Sequence, residues 1–170
     1  MKSTFIVNFV GTATPATIKQ LAASTHDNGG TWLVSKINFI DNQVAAVIKI
    51  ELPQAQVETV RHAFETQPNL LVQFANSAPQ TEEQDLVSQL RCQAIDRPGI
   101  VSEITELLKQ HQVHILDMDC QRVFIADDHG VASNSFTANL ALRFSPNTSV
   151  EAISQELEYI GIETKVIIQS

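Results

Sequence analysis

One order of apolar patterns runs through this chain twice, and that recurrence constrains the fold more than any single motif. Residues 4–10 form an apolar run, residues 15–27 carry Ile18, Leu21 and Ala22 at helical spacing, and Asn28-Gly29-Gly30 stops the helix. Strand-like runs over 31–40 and 43–52 flank the turn signal Asp41-Asn42, and the second alternates through Val44, Ala46, Ile48 and Ile50. Residues 54–66 set Val57, Val60, Ala63 and Phe64 on one helical face, and 70–74 complete the set as a strand. The order is βαββαβ.

After Ser77–Gln84, which is polar and contains a proline, the order restarts. Strand-like residues 86–95 lead to a helical pattern over 98–111. Strands over 113–126 and 133–144 flank Asp127-Asp128-His129-Gly130. A helix over 149–160, with a capping box of Thr148 and Glu151 and a stop at Gly161, precedes a strand over 162–169. An offset of 83 lays Pro15 over Pro98, Ile18 over Val101 and Leu21 over Ile104. The pattern predicts an α+β chain of two tandem ferredoxin-like βαββαβ domains with antiparallel sheets, residues 1–76 and 85–170, joined by a linker at 77–84.

Composition narrows the function classes. A net charge of -8 argues against sequence-independent nucleic-acid binding, which draws its affinity from Lys and Arg neutralising phosphates. The two cysteines, Cys92 and Cys120, lie in strand-like runs without metal-ligand spacing, so no metal site and no disulfide scaffold is expected, and a reducing cytoplasm is the expected home. Lys2 and Phe5-Ile6-Val7 faintly resemble a secretory leader, but Asn8 interrupts the apolar run and a first strand accounts for it better. No apolar window reaches the ~18 residues of a membrane span.

The candidate site is Asp96-Arg97-Pro98-Gly99-Ile100-Val101, between a strand and an amphipathic helix whose core face is Ile100, Val101, Ile104, Leu107 and Leu108. Pro98 fits the first helical position, and Gly99 leaves the backbone N–H groups uncovered. Unpaired N–H groups and the helix dipole suit that end to a carboxylate or phosphate. The plainer alternative is a well-built turn in which Asp96 binds local N–H groups and Arg97 is solvated. Asp117 and Asp119, two apart on a strand, share a face and could meet an ammonium group or a cation, a solvated sheet edge being the commoner outcome. His114 falls on the face of Leu116 and Met118 as a packed or partly exposed side chain rather than a metal ligand, and Trp32 is expected to pack in a core or interface. Glu82, Glu83 and Asp85 read as a solvated connector.

With its signature Ala94-Ile95-Asp96-Arg97-Pro98-Gly99-Ile100-Val101 and the following strand Val113–Asp119, the chain resembles tandem ACT-domain proteins, and more closely the glycine cleavage system transcriptional repressor family. The resemblance implies a non-enzymatic regulator without a cofactor. Its effector would be a small amino acid, glycine being the candidate, and its partner a DNA-binding transcriptional regulator reached by protein contact. It places the effector's carboxylate on the N–H groups of Gly99 and Ile100 and its ammonium on Asp96 or a partner domain's acid, with Arg97 as a clamp. In the first copy, at the offset of 83, Thr12-Ala13-Thr14-Pro15-Ala16 stands in place of Ile95–Gly99, without its charges or glycine, so that copy is expected to support pairing rather than binding.

Two further classes fit this element order. A ligand-free interaction module would use the same turn as a docking surface. An acylphosphatase-like enzyme would need a phosphate-binding Arg97 with a glycine-rich loop and a nearby asparagine, and that setting is missing. Motifs of nucleophilic or metal hydrolases are absent, and Phe136 and Phe144 lack the basic, glycine-rich setting of RNA-recognition modules. Sheet edges in such units invite pairing, so a homodimer is expected.

Overall fold

The computed structural model describes residues 1–78, 86–126, 128–130, 132–161 and 163–169. Most of the expected linker, from residue 79 onward, lies outside the described residues with Glu82, Glu83 and Asp85, and so does Asp127 of the second hairpin turn. The chain divides into two compact units, Met1–Thr81 and Glu82–Ser170.

The first unit runs β1 (Lys2–Thr12), α1 (Pro15–Asp27), β2 (Thr31–Ile40), β3 (Gln43–Pro53), α2 (Val57–Glu65) and β4 (Leu70–Asn76). The second runs β5 (Leu86–Ile95), α3 (Ile100–Gln110), β6 (His114–Ala126), β7 (Ala132–Phe144), α4 (Val150–Glu158) and β8 (Lys165–Gln169). Both sheets are antiparallel with equivalent orders, β2-β3-β1-β4 and β6-β7-β5-β8, which is the ferredoxin-like arrangement. Among the described residues no helix is long and apolar enough to cross a membrane.

Alternation places each core. Phe5, Val7 and Phe9 of β1 and Val44, Ala46, Ile48, Ile50 and Leu52 of β3 turn one face of the sheet to Leu21, Val60 and Phe64 of the helices. Leu90, Cys92 and Ala94 of β5 and Phe136, Ala138, Leu140, Leu142 and Phe144 of β7 do the same for Ile100, Ile104, Leu108 and Leu157. Each large side chain so buried contributes roughly 1.5–3 kcal/mol. Phe136 and Phe144 are therefore core residues and are not presented on the open face. Trp32 is partly buried against the first core, and its indole Nε1 donates to Thr25 Oγ1 at 3.1 Å.

Four local expectations are corrected. The cap of α4 is Ser149, whose Oγ accepts from the Ala152 N–H at 3.3 Å, while the Thr148 hydroxyl pairs with Ser145 at 2.9 Å. The first turn of the expected helix over 54–66 is a 3-10 turn, Gln54–Gln56. The last strand starts at Lys165 rather than 162, because Glu163 takes a left-handed turn at φ 58. Finally, β6 bulges: Ile115 pairs with Leu142 but Asp117 with Ala141, so Leu116 is the extra residue. The bulge moves His114, opposite Arg143, onto the outward face with Asp117 and away from Met118.

The first unit bulges at the equivalent place. Trp32 pairs with Ile50 and Val34 with Lys49, leaving Leu33 extra, and Leu33 plus 83 is Leu116. The offset of 83 thus holds from the first helix through β2, and beyond the longer second hairpin it becomes 92, with Ile50 answering to Leu142. The cross-strand register carries the offset of 83 into the first strands, where Ser3 opposite Leu52 answers to Leu86 opposite Phe144, and the helix then starts two residues earlier in the first unit.

Candidate functional site

The turn after β5 is built by a glycine and two ion pairs. Pro98 lies in the turn and not at the first helical position. Gly99 is the residue before the helix, at φ 83, and α3 begins at Ile100. That left-handed conformation is what requires glycine, since an added Cβ would meet nothing nearer than Glu103 Oε1 at 4.0 Å. With no side chain at the cap position, the first N–H groups of α3 receive no side-chain cap. The first intrahelical bond runs from Glu103 N–H to the Gly99 carbonyl at 3.0 Å.

Asp96 leaves the sheet through an N–H bond to the Asn134 carbonyl at 2.9 Å. Among the described residues its carboxylate binds no local N–H group. Both oxygens accept from Arg122 Nε, at 3.0 and 3.1 Å, on β6. The Arg122 guanidinium also stands 5.5 Å from the Phe136 ring centre, within cation–π range. Arg97 is not free in solvent either. It forks onto both carboxylate oxygens of Glu103, with Nη1 to Oε1 at 2.8 Å, and also donates to the Ile160 carbonyl beyond α4. Its hydrogen bond to Glu103 raises the Arg97 pKa and holds the Glu103 carboxyl below the usual carboxylate range.

The sequence-derived residues divide into three groups. Asp96, Arg97, Pro98 and Gly99 form the turn itself. Ile100 is buried and Val101 partly so, both packed on the core, which leaves their backbone N–H groups as what they can offer a ligand. Asp117 and Asp119 are exposed on the outward pleat of β6, opposite in facing to Arg122 and roughly 17 and 10 Å away along the strand. The structure does not bring them to the turn. Arg122 was missed, although its place in the inward alternation Met118, Cys120, Arg122 signals a charge that needs a partner.

On the outward side of the same strand end lies a hollow of about 570 Å³ whose lining includes Gln93, Ile95, Ser133, Ser135, Glu163 and Lys165. Among the described residues no group of three or more His, Cys, Asp or Glu could hold a metal ion. Cys92 and Cys120 are unpaired and face Ala138 from either side, roughly 10 Å apart across two strand spacings and beyond disulfide reach. Burial pushes the Cys92 thiol up to about 11.

The counterpart of this turn in the first unit follows from the helix starts. Counted back from the first helical residue, Gly11-Thr12-Ala13-Thr14 takes the place of Asp96-Arg97-Pro98-Gly99, with Thr14 at the cap position and Pro15 opening α1. The segment Thr12–Ala16 expected from the offset of 83 overlaps this turn and opens α1, and both charges are absent from it. Here β1 keeps pairing with β3 as far as Thr12, and Thr12 N–H donates to the Asn69 carbonyl at 3.1 Å. Gly11 sits so close to that carbonyl that a Cβ would fall 2.0 Å from its oxygen.

The fold is shared with solved structures along the whole chain. An unknown protein from Galdieria sulphuraria matches at 13% identity and TM-score 0.82, over 99% of this chain and 98% of that one. A protein described as a "putative glycine cleavage system transcriptional repressor" matches at 12% identity and TM-score 0.69, over 100% of this chain and 99% of that one. At such identities the likeness establishes the fold alone, a tandem of two ferredoxin-like units. No family model and no curated protein sequence matches the chain.

Proposed function

We propose that this chain is an ACT-like regulatory protein. In this reading the turn Asp96–Val101 takes up a small amino acid, glycine first among the candidates, and the bound state passes by protein contact to a DNA-binding regulator of a metabolic operon in the cytoplasm. The observation that carries the reading is the charge balance around an open glycine. Asp96 with Arg122 and Arg97 with Glu103 contribute two negative and two positive groups beside uncapped helix N–H groups. A phosphate finds no excess of positive charge there. A zwitterion, with one group of each sign, can exchange with either pair without leaving a net charge buried. The whole-chain likeness to the protein described as a repressor supports the regulatory class, and the acidic charge of -8 favours a protein contact over direct DNA binding.

Calorimetry with a panel of amino acids tests the reading. Saturable heat with one of them is expected, lost in Asp96→Asn and in Gly99→Val, whose branched side chain covers the N–H groups and resists φ 83. Absence of heat with every amino acid overturns it. One observation favours a second reading, a ligand-free docking module: Asp96 and Arg97 already have protein partners, so the turn is complete without a ligand. That reading expects no heat and a loss of regulator binding in Arg97→Ala. The enzymatic alternative loses support from the same contacts, because the Arg97 guanidinium is engaged by Glu103 and Ile160.

A further inference from the structure

The cross-strand neighbours of Asn8 set the first sheet apart from the second. On the outward pleat Asn8 of β1 stands between Val47 of β3 and Gln73 of β4, while its counterpart Arg91 stands opposite Asn139. Arg91 Nε donates to Asn139 Oδ1 at 3.0 Å, so the second sheet satisfies its own polar groups there. Val47 has no group to offer, and Asn8 Oδ1 is buried without a hydrogen-bond partner. Such an atom is rare in a folded chain and needs a reason.

Asn8 lines a hollow of about 600 Å³ that runs from Lys36 and Asn38 on β2, across Ala45 and Val47, to Leu71 on β4. The single methyl of Ala45 gives it depth. Val10 and Val47 are half exposed and Leu71 is 77% exposed, so the floor and the far wall are apolar. The fold does not require this: the positions of Val10, Ala45 and Leu71 are held in the second sheet by Gln93, Thr137 and Lys165. The charge is one-sided as well. Lys36 lines the hollow, Lys49 stands two residues from Val47 on the same pleat, and among the described residues no acid lines it. The next acid along β3, Glu51, is held by Lys2 at 2.6 Å. On a chain of net charge -8 these lysines favour an anion over a second copy, which would bring its own lysines against them.

We propose that the hollow binds an elongated, largely apolar organic acid that carries a hydroxyl toward its far end. Small-molecule sites are mostly apolar clefts of about 300–1,000 Å³ in which a few polar groups fix the orientation, and here two such groups stand at a set spacing. The carboxylate pairs with the Lys36 ammonium, whose three donors can serve a ligand beside a partner within the chain. The apolar body crosses Val47, Ala45 and Val10. The hydroxyl donates to Asn8 Oδ1 on β1, two strand spacings or roughly 10 Å from β2. Three spacings, roughly 14 Å from β2 to β4, accommodate a medium acyl chain laid straight. It is a second site, in the other unit from the Asp96 turn.

Calorimetry on the full chain tests this with decanoate, ω-hydroxydecanoate, decanol and decylamine, each below its aggregation concentration. Both acids are expected to bind saturably, the hydroxy acid severalfold more tightly, and decanol and decylamine at least tenfold more weakly than decanoate. Ala45→Leu, which fills the hollow from an exposed position, is expected to weaken both acids tenfold or more with an unchanged circular dichroism spectrum. Asn8→Leu should retain decanoate binding and abolish the preference for the hydroxyl. Gln121→Lys, outward on the second sheet, should change neither. Absence of saturable heat with either acid, as a face covered by a second copy or another protein would give, overturns the proposal. So does equal binding of decylamine, acid binding that survives Ala45→Leu, or a hydroxyl preference that survives Asn8→Leu.

Discussion

The turns after β1 and β5 connect equivalent strands to equivalent helices. Their chemistry differs. In the first unit backbone closes the turn: Gly11 lies against the Asn69 carbonyl and Thr12 donates to it. In the second unit side chains close it, through Asp96 with Arg122 and Arg97 with Glu103. A backbone closure has one state. Ion pairs near the surface can be exchanged for other charges at little cost, since such pairs contribute only about 0–1 kcal/mol. The comparison teaches where a ligand could compete and where it could not.

The largest test of that contrast uses the two glycines. Gly11→Ala forces a Cβ to within 2.0 Å of backbone oxygen at φ 149, with no flexible side chain to yield. The first unit is expected to lose roughly 3 kcal/mol or more, or to fail to fold. Gly99→Ala meets open space and bears only the strain of φ 83, about 1 kcal/mol. Denaturant midpoints followed for each unit would measure both. Equal losses would break the comparison.

A second test separates the units by pH. The first unit has no cysteine, while Cys92 in the second is buried and its thiol is pushed up to about 11. An unfolded thiol ionises near about 8.5. Between those values the unfolded state has released its proton and the folded state has not, so stability falls as pH rises. The alkaline loss is expected in the second unit and is reduced in Cys92→Ala, with a smaller remainder from Cys120, whose thiol burial also pushes up, read by melting temperature from about pH 8 to 11.

Much of this was legible in the residues. Strict alternation in Val44–Leu52 and Leu140–Phe144 sets the inward pleat, and each strand so marked appears where it was expected. Register was not legible. A bulge such as Leu33 or Leu116 adds one residue without a change of residue type, so His114 was assigned to the wrong pleat. Pro98 misled for a related reason. A proline before a glycine fits a helix start or a turn, and only the left-handed Gly99 distinguishes them. The charges Asp96 and Arg97 were legible as unusual, but their partners Arg122 and Glu103 come from another strand and from the next helical turn. Pairing of that kind is a tertiary fact.

The exchangeable character of the second turn can be sharpened by a double-mutant cycle on Asp96→Asn and Arg122→Gln. The Asp96 side chain is 18% exposed and that of Arg122 55%, so a coupling of about 1 kcal/mol is expected. A coupling several times larger would mean a rigid, buried lock and would count against exchange with a zwitterion.

The smallest expected effect comes from the outer pair. The fork from Arg97 holds the Glu103 carboxyl below the usual carboxylate range. A carboxyl whose folded pKa is depressed adds stability above its unfolded pKa, near about 4.3, and that contribution is lost as pH falls through the folded value. Both groups are exposed and screened by solvent, so the change in melting temperature between about pH 5 and 3 should be slight, and smaller still in added salt. Glu103→Gln should remove it, and the first unit, whose turn holds no ion pair, should lack it altogether. If Glu103→Gln instead abolishes the second unit's structure, the fork from Arg97 through Glu103 to the Ile160 carbonyl is a structural clamp, and a ligand would have to leave it in place.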